Sequence, residues 1–288
     1  MNDSYQQIDE IGLRLAEKRA SVMVGAGFSR NLRQIASQNI QFPTWNELGI
    51  IFYKRLHGKP PEGNQFLDPM QIAEELEAAI GRPGLELLIR ESIPDLQCAP
   101  SKLHERMMDL PWNDVFTTNY DTLLERAAEK TISRRYDIVV NQEDLIFSTS
   151  PRIIKLHGSF PSQRPLVATQ EDYRRYPVDF ALFVNTVQQS LVENLLVLVG
   201  FSGQDPNFLK WIGWIRDNYG KNAPLIYMIV CEKDGFSQAK LRFWSKQNIV
   251  PVNLALLVDD PVFLEDAFKK FFHRLEIYIS KRNPFSWP

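Results

Sequence analysis

The chain has 288 residues, a formal net charge of −2 and 44% apolar residues, a composition typical of a folded globular protein with a sizeable core. The small net charge gives no basis for a basic nucleic-acid-binding surface, so we expect no direct nucleic-acid binding. Two cysteines, Cys98 and Cys231, cannot form a four-thiolate zinc site and fit the reducing cytoplasm.

The first predicted elements follow one another as helix, strand, glycine turn and helix. Residues 8–19 have the apolar spacing of an amphipathic helix, and residues 21–24 predict a short buried strand. The strand leads into Gly25-Ala26-Gly27, after which residues 27–36 predict another helix. Such a turn lets a backbone approach a diphosphate closely, although a plain strand–helix connection has the same pattern.

Residues 31–112 interrupt the alternation of strands and helices. They contain only helical patterns, which cover residues 45–57, 69–80, 84–92 and 101–110. We therefore predict an α-helical module of residues 31–112, inserted after the first strand and helix.

The alternation resumes at residue 113. The predicted strands are residues 113–117, 152–156, 195–199, 225–230 and 248–256. The predicted helices are residues 120–130, 206–219, 237–247 and 261–279. This order predicts an α/β fold with a Rossmann-like, doubly wound parallel sheet, into which the helical module is inserted.

Polar residues follow three of these strands directly. Thr117-Thr118-Asn119-Tyr120-Asp121 ends the first, His157-Gly158 the second and Gly200-Phe201-Ser202-Gly203 the third. The carboxyl ends of parallel strands form the edge where such folds bind ligands. An amide and an acid there can hold a sugar hydroxyl and a water, and a histidine suits proton transfer. The alternative is structural, with Thr118 or Asn119 as a helix cap and Asp121 favouring the helix dipole.

Together these segments resemble the sirtuin family of NAD-consuming enzymes. The four matching segments occur in the family's order and are Gly25-Ala26-Gly27-Phe28-Ser29, Thr117-Thr118-Asn119-Tyr120-Asp121, Lys155-Leu156-His157-Gly158-Ser159 and Val199-Gly200-Phe201-Ser202. The resemblance implies one sirtuin-like NAD-binding domain over residues 1–288, with the helical module inside it.

The deacylase branch of that family has features that this sequence lacks. In place of its Gly-Ile-Pro-Asp-Phe-Arg element stands Phe42-Pro43-Thr44-Trp45, and no cysteine lies between His157 and Cys231, where that branch carries its zinc module. The pattern around Asn119, with the later Asp205-Pro206-Asn207, looks like the bacterial sirtuin-like NAD hydrolases of antiphage defence. We therefore expect neither a zinc module nor any other metal.

The resemblance also implies an activity and the residues that carry it. The chain would be an NAD+ glycohydrolase that releases nicotinamide and ADP-ribose, with NAD as substrate. Asn119 would hold the nicotinamide ribose and orient the attacking water, while His157 would contact the ribose hydroxyls and take up a proton. The remaining residues expected to bind NAD are Gly25, Ala26, Gly27, Ser29, Thr118, Asp121, Gly200 and Ser202.

Two other functions stay open at the level of sequence. The same bond cleavage with a different acceptor would make the protein a deacylase or an ADP-ribosyltransferase. Binding without turnover would make it an NAD or ADP-ribose sensor. We also expect a homo-oligomer or a companion defence protein that triggers activity. No signal peptide is visible, and no apolar run approaches the ~20 residues that cross a bilayer, so we expect a cytoplasmic protein without membrane contact.

Overall fold

The computed structural model describes residues 3–35, 40–63, 67–132, 134–160, 164–258 and 264–281. Nine strands lie in these ranges, namely β1 (Ala20–Val24), β2 (Arg33–Gln34), β3 (Cys98–Ala99), β4 (Asp114–Thr117), β5 (Asp137–Val139), β6 (Arg152–Lys155), β7 (Leu195–Val199), β8 (Ile226–Val230) and β9 (Ile249–Asn253).

Eleven α-helices lie in the same ranges. They are α1 (Asp3–Ala16), α2 (Ala26–Ser29), α3 (Trp45–His57), α4 (Pro69–Ser92), α5 (Lys102–Asp109), α6 (Leu123–Ala128), α7 (Gln170–Asp179), α8 (Ala181–Glu193), α9 (Pro206–Tyr219), α10 (Gln238–Ser245) and α11 (Leu264–Lys281). None of the helices described has both the length and the apolar content needed to cross a membrane.

Seven strands form one parallel sheet in the order β5-β6-β4-β1-β7-β8-β9. The central strand β1 pairs with β4 on one side and β7 on the other, so that Val24 lies level with Thr117 and Val199. From β1 the chain first passes to β4 on one side, and it later crosses to β7 on the other side of β1. The residues that follow β1, β4 and β7 therefore meet at one edge, at the point where doubly wound sheets bind ligands.

The two faces of the sheet are covered by different helices. Successive side chains of a strand point to opposite faces, so Val22 and Val24 join the core beneath α1, α5, α6 and α11, while Met23 joins the core beneath α7, α8, α9 and α10. Buried side chains on both faces explain why strands such as β7 and β8 are apolar throughout.

Helices α3 and α4 pack against each other around a third apolar cluster, which contains Phe42, Phe52 and Leu76. A kink at Gly81 (φ 76°, ψ 162°) divides α4 into the two helices predicted from sequence, and Pro83 follows it. By contrast, α5 contributes Leu103 to the core of the sheet. The inserted module remains a proposal. The packing of α3 against α4, apart from the core of the sheet, favours these two helices as its main elements.

Several predicted elements differ from those observed. The helix predicted over residues 27–36 ends at Ser29, and β2 follows it, while residue 36 lies outside the described residues. Because β2 pairs with β3 antiparallel, residues 31–112 are not purely helical. The sequence patterns did not indicate β5, α7 or α8. The predicted start of the last helix, residue 261, lies outside the described residues, which resume at α11.

Candidate active site

A cavity of about 740 Å³ opens at the carboxyl ends of β1, β4, β6 and β7. Its volume lies within the range of about 300–1,000 Å³ that is usual for small-molecule sites. The structure brings all ten residues predicted from sequence to its wall. They are Gly25, Ala26, Gly27, Ser29, Thr118, Asn119, Asp121, His157, Gly200 and Ser202.

The two glycine turns in this wall are packed directly against each other. Gly25 N donates to Val199 O at 3.0 Å, and Gly27 N donates to Gly200 O at 2.9 Å. A Cβ on Gly25 would lie 2.6 Å from Gly200 O, and Gly200 itself has a φ of +60°. The glycines are therefore required by this close approach, and the N–H of Gly27 already has a protein acceptor.

Asn119 is held from both ends. Its backbone N–H donates to Thr117 Oγ1 at 3.1 Å, and Thr117 Oγ1 donates in turn to Val24 O of the neighbouring strand at 2.9 Å. Its side-chain Nδ2 donates to Ser29 Oγ at 2.9 Å. Ser29 Oγ donates to Asp121 Oδ2, also at 2.9 Å. Residues from two neighbouring strand ends thus form one hydrogen-bonded group.

Asp121 is a buried carboxyl with a raised pKa. Burial raises its pKa to about 6, and Lys155 opposes this shift. Lys155 is itself fully buried on β6, where its ammonium donates to the backbone carbonyl of Asp121 and pairs with Glu125 at 2.9 Å. The group at the end of β4 therefore rests on buried charges as well as on hydrogen bonds.

His157 stands at the end of β6 with its ring edge-on to two tyrosines, Tyr173 and Tyr176, at centroid distances of 5.3 and 5.7 Å. Burial lowers its pKa below the ordinary value, and the nearby Asp205 opposes that shift. At neutral pH the imidazole is therefore uncharged and able to accept a proton. Among the described residues its Nε2 has no hydrogen-bond partner and lies 3.8 Å from Asp205 Oδ2.

Sequence reasoning missed the second role of Asp205. At the N-cap of α9 its Oδ1 accepts from Phe208 N at 3.0 Å. Its Oδ2 accepts from the Tyr173 hydroxyl at 3.1 Å and faces His157. A carboxylate six residues after the end of β7, a strand that leads into the predicted site, was the available signal. Tyr173 itself lies on α7, a helix that the pattern did not indicate.

Helices α3 and α4, with the residues just before each of them, supply the other wall of the cavity. Residues 42–46, which stand where the deacylase branch has its Gly-Ile-Pro-Asp-Phe-Arg element, line it together with Leu48, Leu67 and Met70. The sequence predicted these helices but not their contact with the strand ends. Within the described ranges, no group of three or more His, Cys, Asp or Glu is arranged to hold a metal ion.

Comparisons with known proteins agree with this fold. The family model described as a SIR2-like domain matches residues 113–252. A solved structure, described as a SIR2 homologue–NAD complex, aligns with a TM-score of 0.51 over 94% of each chain, at 14% identity. The predicted sirtuin resemblance and the Rossmann-like α/β fold are thereby confirmed.

Three curated relatives are similar at low identity. "Defense-associated sirtuin 2" of Bacillus subtilis is 21% identical, and the match covers 99% of this chain and 28% of that protein. "NAD(+) hydrolase ThsA" of Acinetobacter baumannii is 24% identical over 77% of this chain and 44% of that protein. The ThsA of Enterococcus faecium is 28% identical, over 62% and 42%. The chain thus spans less than half the length of each of these relatives.

Proposed function

Residues 113–252 of this chain match the family model described as a SIR2-like domain, and from this similarity we propose that the protein is an NAD+ glycohydrolase. It cleaves the bond between nicotinamide and ribose and releases nicotinamide and ADP-ribose. The names of the ThsA relatives, which are NAD(+) hydrolases, support this assignment. NAD is the substrate, and protein side chains assist the cleavage of its bond between nicotinamide and ribose.

The observation that carries the proposal is the placement of Asn119 and His157 on one cavity wall. They follow β4 and β6, which are adjacent strands of the sheet. Nicotinamide leaves as a neutral molecule from a cationic ring, so the reaction needs little help with its leaving group. It needs a site that stabilises an oxocarbenium-like ribose and presents a water to it, which is achieved by positioning and oriented dipoles.

Each of the two residues has a part in that task. Asn119 holds the nicotinamide ribose and orients the attacking water through its side-chain amide. His157, which burial keeps uncharged at neutral pH, contacts the ribose hydroxyls and takes up a proton. The facing Asp205 carboxylate favours the protonated imidazole that results.

We further infer a biological role from the relatives. "Defense-associated sirtuin 2" matches along nearly the whole of this chain, which favours a regulated effector that depletes NAD in antiphage defence. Such an activity must be controlled, since unrestrained loss of NAD would kill the host. A homo-oligomer or a companion defence protein in the cytoplasm is therefore the expected trigger.

The test is incubation of the purified full chain with NAD, alone, at high concentration, and with candidate activating proteins. Chromatography should show nicotinamide and ADP-ribose in equal amounts, and would also reveal any cyclised product. Asn119→Ala and His157→Ala should each lower the rate at least ~100-fold. Tyr136→Phe, which removes a buried hydroxyl bonded to Met108 O, should not.

Two results would contradict the proposal. Unchanged rates in both alanine variants would remove the assigned roles. NAD consumption that requires an acylated peptide or a target protein would show that the acceptor is not water, as in a deacylase or an ADP-ribosyltransferase.

A further inference from the structure

Three buried side chains form a hydrogen-bonded chain at the wall of the cavity. Asn119 Nδ2 donates to Ser29 Oγ, and Ser29 Oγ donates to Asp121 Oδ2, each at 2.9 Å. The three residues are 7%, 2% and 5% exposed. Water therefore competes little for these bonds, and the direction in which protons are donated along the chain is set by the protein.

The Asp121 carboxylate sets that direction. Its Oδ1 accepts from Leu123 N at 3.1 Å and its Oδ2 accepts from Ser29. An ionised carboxylate only accepts, so Ser29 must give it the single hydroxyl proton. The oxygen of Ser29 can then only accept from Asn119, which turns the amide nitrogen of Asn119 toward Ser29. The carbonyl oxygen of Asn119 is the end left for a ligand.

We propose that Asp121 and Ser29 are positioning residues that fix the orientation of the Asn119 side-chain amide during NAD hydrolysis, an inference that rests on the proposed function. In this orientation Asn119 accepts a hydrogen bond from the attacking water or a ribose hydroxyl. A protonated Asp121 can donate to Ser29, which can then donate to Asn119 Oδ1. The amide flips, and it offers N–H groups where an acceptor is needed.

The environment of Asp121 sets the pH at which the Asn119 amide changes orientation. Burial raises the pKa of Asp121 to about 6. Lys155 on β6 opposes the shift, whereas Glu125 on α6 and Asp95, in the turn before β3, add to it. The productive orientation is therefore held above about pH 6 and lost below it, in addition to any effect of protonating His157.

Asp121→Asn is the decisive variant. The backbone N–H of Leu123 can only donate, so the new amide must turn its oxygen to Leu123 and its nitrogen to Ser29. The direction of donation along Asn119, Ser29 and residue 121 is then reversed at every pH. We expect kcat for NAD hydrolysis to fall about 10- to 100-fold at pH 7.5, the cost of one misplaced hydrogen bond in a buried site, while KM changes less than about threefold. The part of the fall in rate near pH 6 that comes from protonation of Asp121 should disappear.

Ser29→Ala removes the hydroxyl that links Asn119 to Asp121 while it keeps the Asp121 side chain, and it should lower kcat by a similar factor. Ser29→Thr keeps a hydroxyl and should recover most of the activity. Ser190→Ala is the matched control, because Ser190 Oγ donates to Ser21 Oγ at 3.0 Å and accepts from Asn194 Nδ2 at 3.3 Å. It removes the same kind of buried chain at residues that do not line the cavity, and should keep the kcat of the wild type.

A second readout needs no NAD. The side-chain amide signals of Asn119, identified by their loss in Asn119→Ala, should shift in a ¹⁵N–¹H spectrum with a midpoint near pH 6. They should not do so in Asp121→Asn or Ser29→Ala. This separates the inference from the proposed function, since a wild-type protein that titrates as expected but never hydrolyses NAD supports the hydrogen-bonded chain and overturns the glycohydrolase.

Other outcomes overturn the inference itself. One is an Asp121→Asn variant with the kcat and the pH profile of the wild type. A second is a Ser190→Ala variant that loses as much activity as Ser29→Ala. A third is an Asn119 amide that does not respond to pH.

Discussion

A single methyl group at Gly200 tests the packing on which the site depends. Gly200→Ala places a Cβ 2.1 Å from Phe28 N and 2.8 Å from Gly27 C, both backbone atoms that cannot move aside alone. The φ of +60° adds about 1–2 kcal/mol for any residue with a Cβ. Moving the two turns apart adds about 1–3 kcal/mol. We expect a loss of about 2–5 kcal/mol, a large part of the stability of a typical domain.

The assay is urea unfolding followed by circular dichroism, with Gly213→Ala as the matched control. Gly213 lies within α9, and a Cβ there meets nothing within 4 Å. Alanine in a helix interior should stabilise by about 0.5–1 kcal/mol. Both variants should change the midpoint and leave the slope unchanged. A Gly200→Ala protein as stable as the wild type, or a Gly213→Ala protein that loses as much, would refute the reasoning.

Three further predictions concern buried charges. Burial lowers the pKa of His104 from 6.5 to about 4, so the contribution of the uncharged imidazole to folding stability is present above pH 6.5 and is lost as the pH falls to about 4. At about 1.4 kcal/mol per pKa unit, urea unfolding should show a loss of about 3 kcal/mol over this range, and the loss should be absent in His104→Leu. Asp205→Asn keeps a good N-cap but removes a charge that raises the pKa of His157, so histidine NMR should report a lower pKa; an unchanged value would rule out that coupling. Lys155→Met should destabilise by about 3–5 kcal/mol, because it strands Glu125 in the interior, and adding Glu125→Leu should restore most of the loss in thermal unfolding.

Much of the architecture follows from local sequence. The apolar run of β7 and the strand of β1 are recognisable from a few residues, because strands buried on both faces are mostly apolar. Helix α9 begins at Pro206, as predicted for residues 206–219, with the Asp205 carboxylate accepting from Phe208 N. Polar residues directly after such strands also marked the wall of the cavity, since parallel strands place their carboxyl ends at one edge.

The pattern failed where neighbours in space decide the local structure. The helix predicted after Gly27 stops at Ser29, because the chain turns into β2, which pairs with β3 about 65 residues later. Helix α7 was not indicated since its surface is strongly polar and Pro177 lies within it. Tyr173 on that helix was therefore absent from the predicted site.

The sequence alone determined which residues stand at strand ends and that these ends form one wall of a cavity. Only the tertiary structure decided which of those side chains meet. Ser29 bonds with Asp121, 92 residues away, and Gly27 with Gly200, because β1 lies between β4 and β7. The order of strands depends on how whole helices cover the two faces of the sheet. A local pattern of residues does not determine that order.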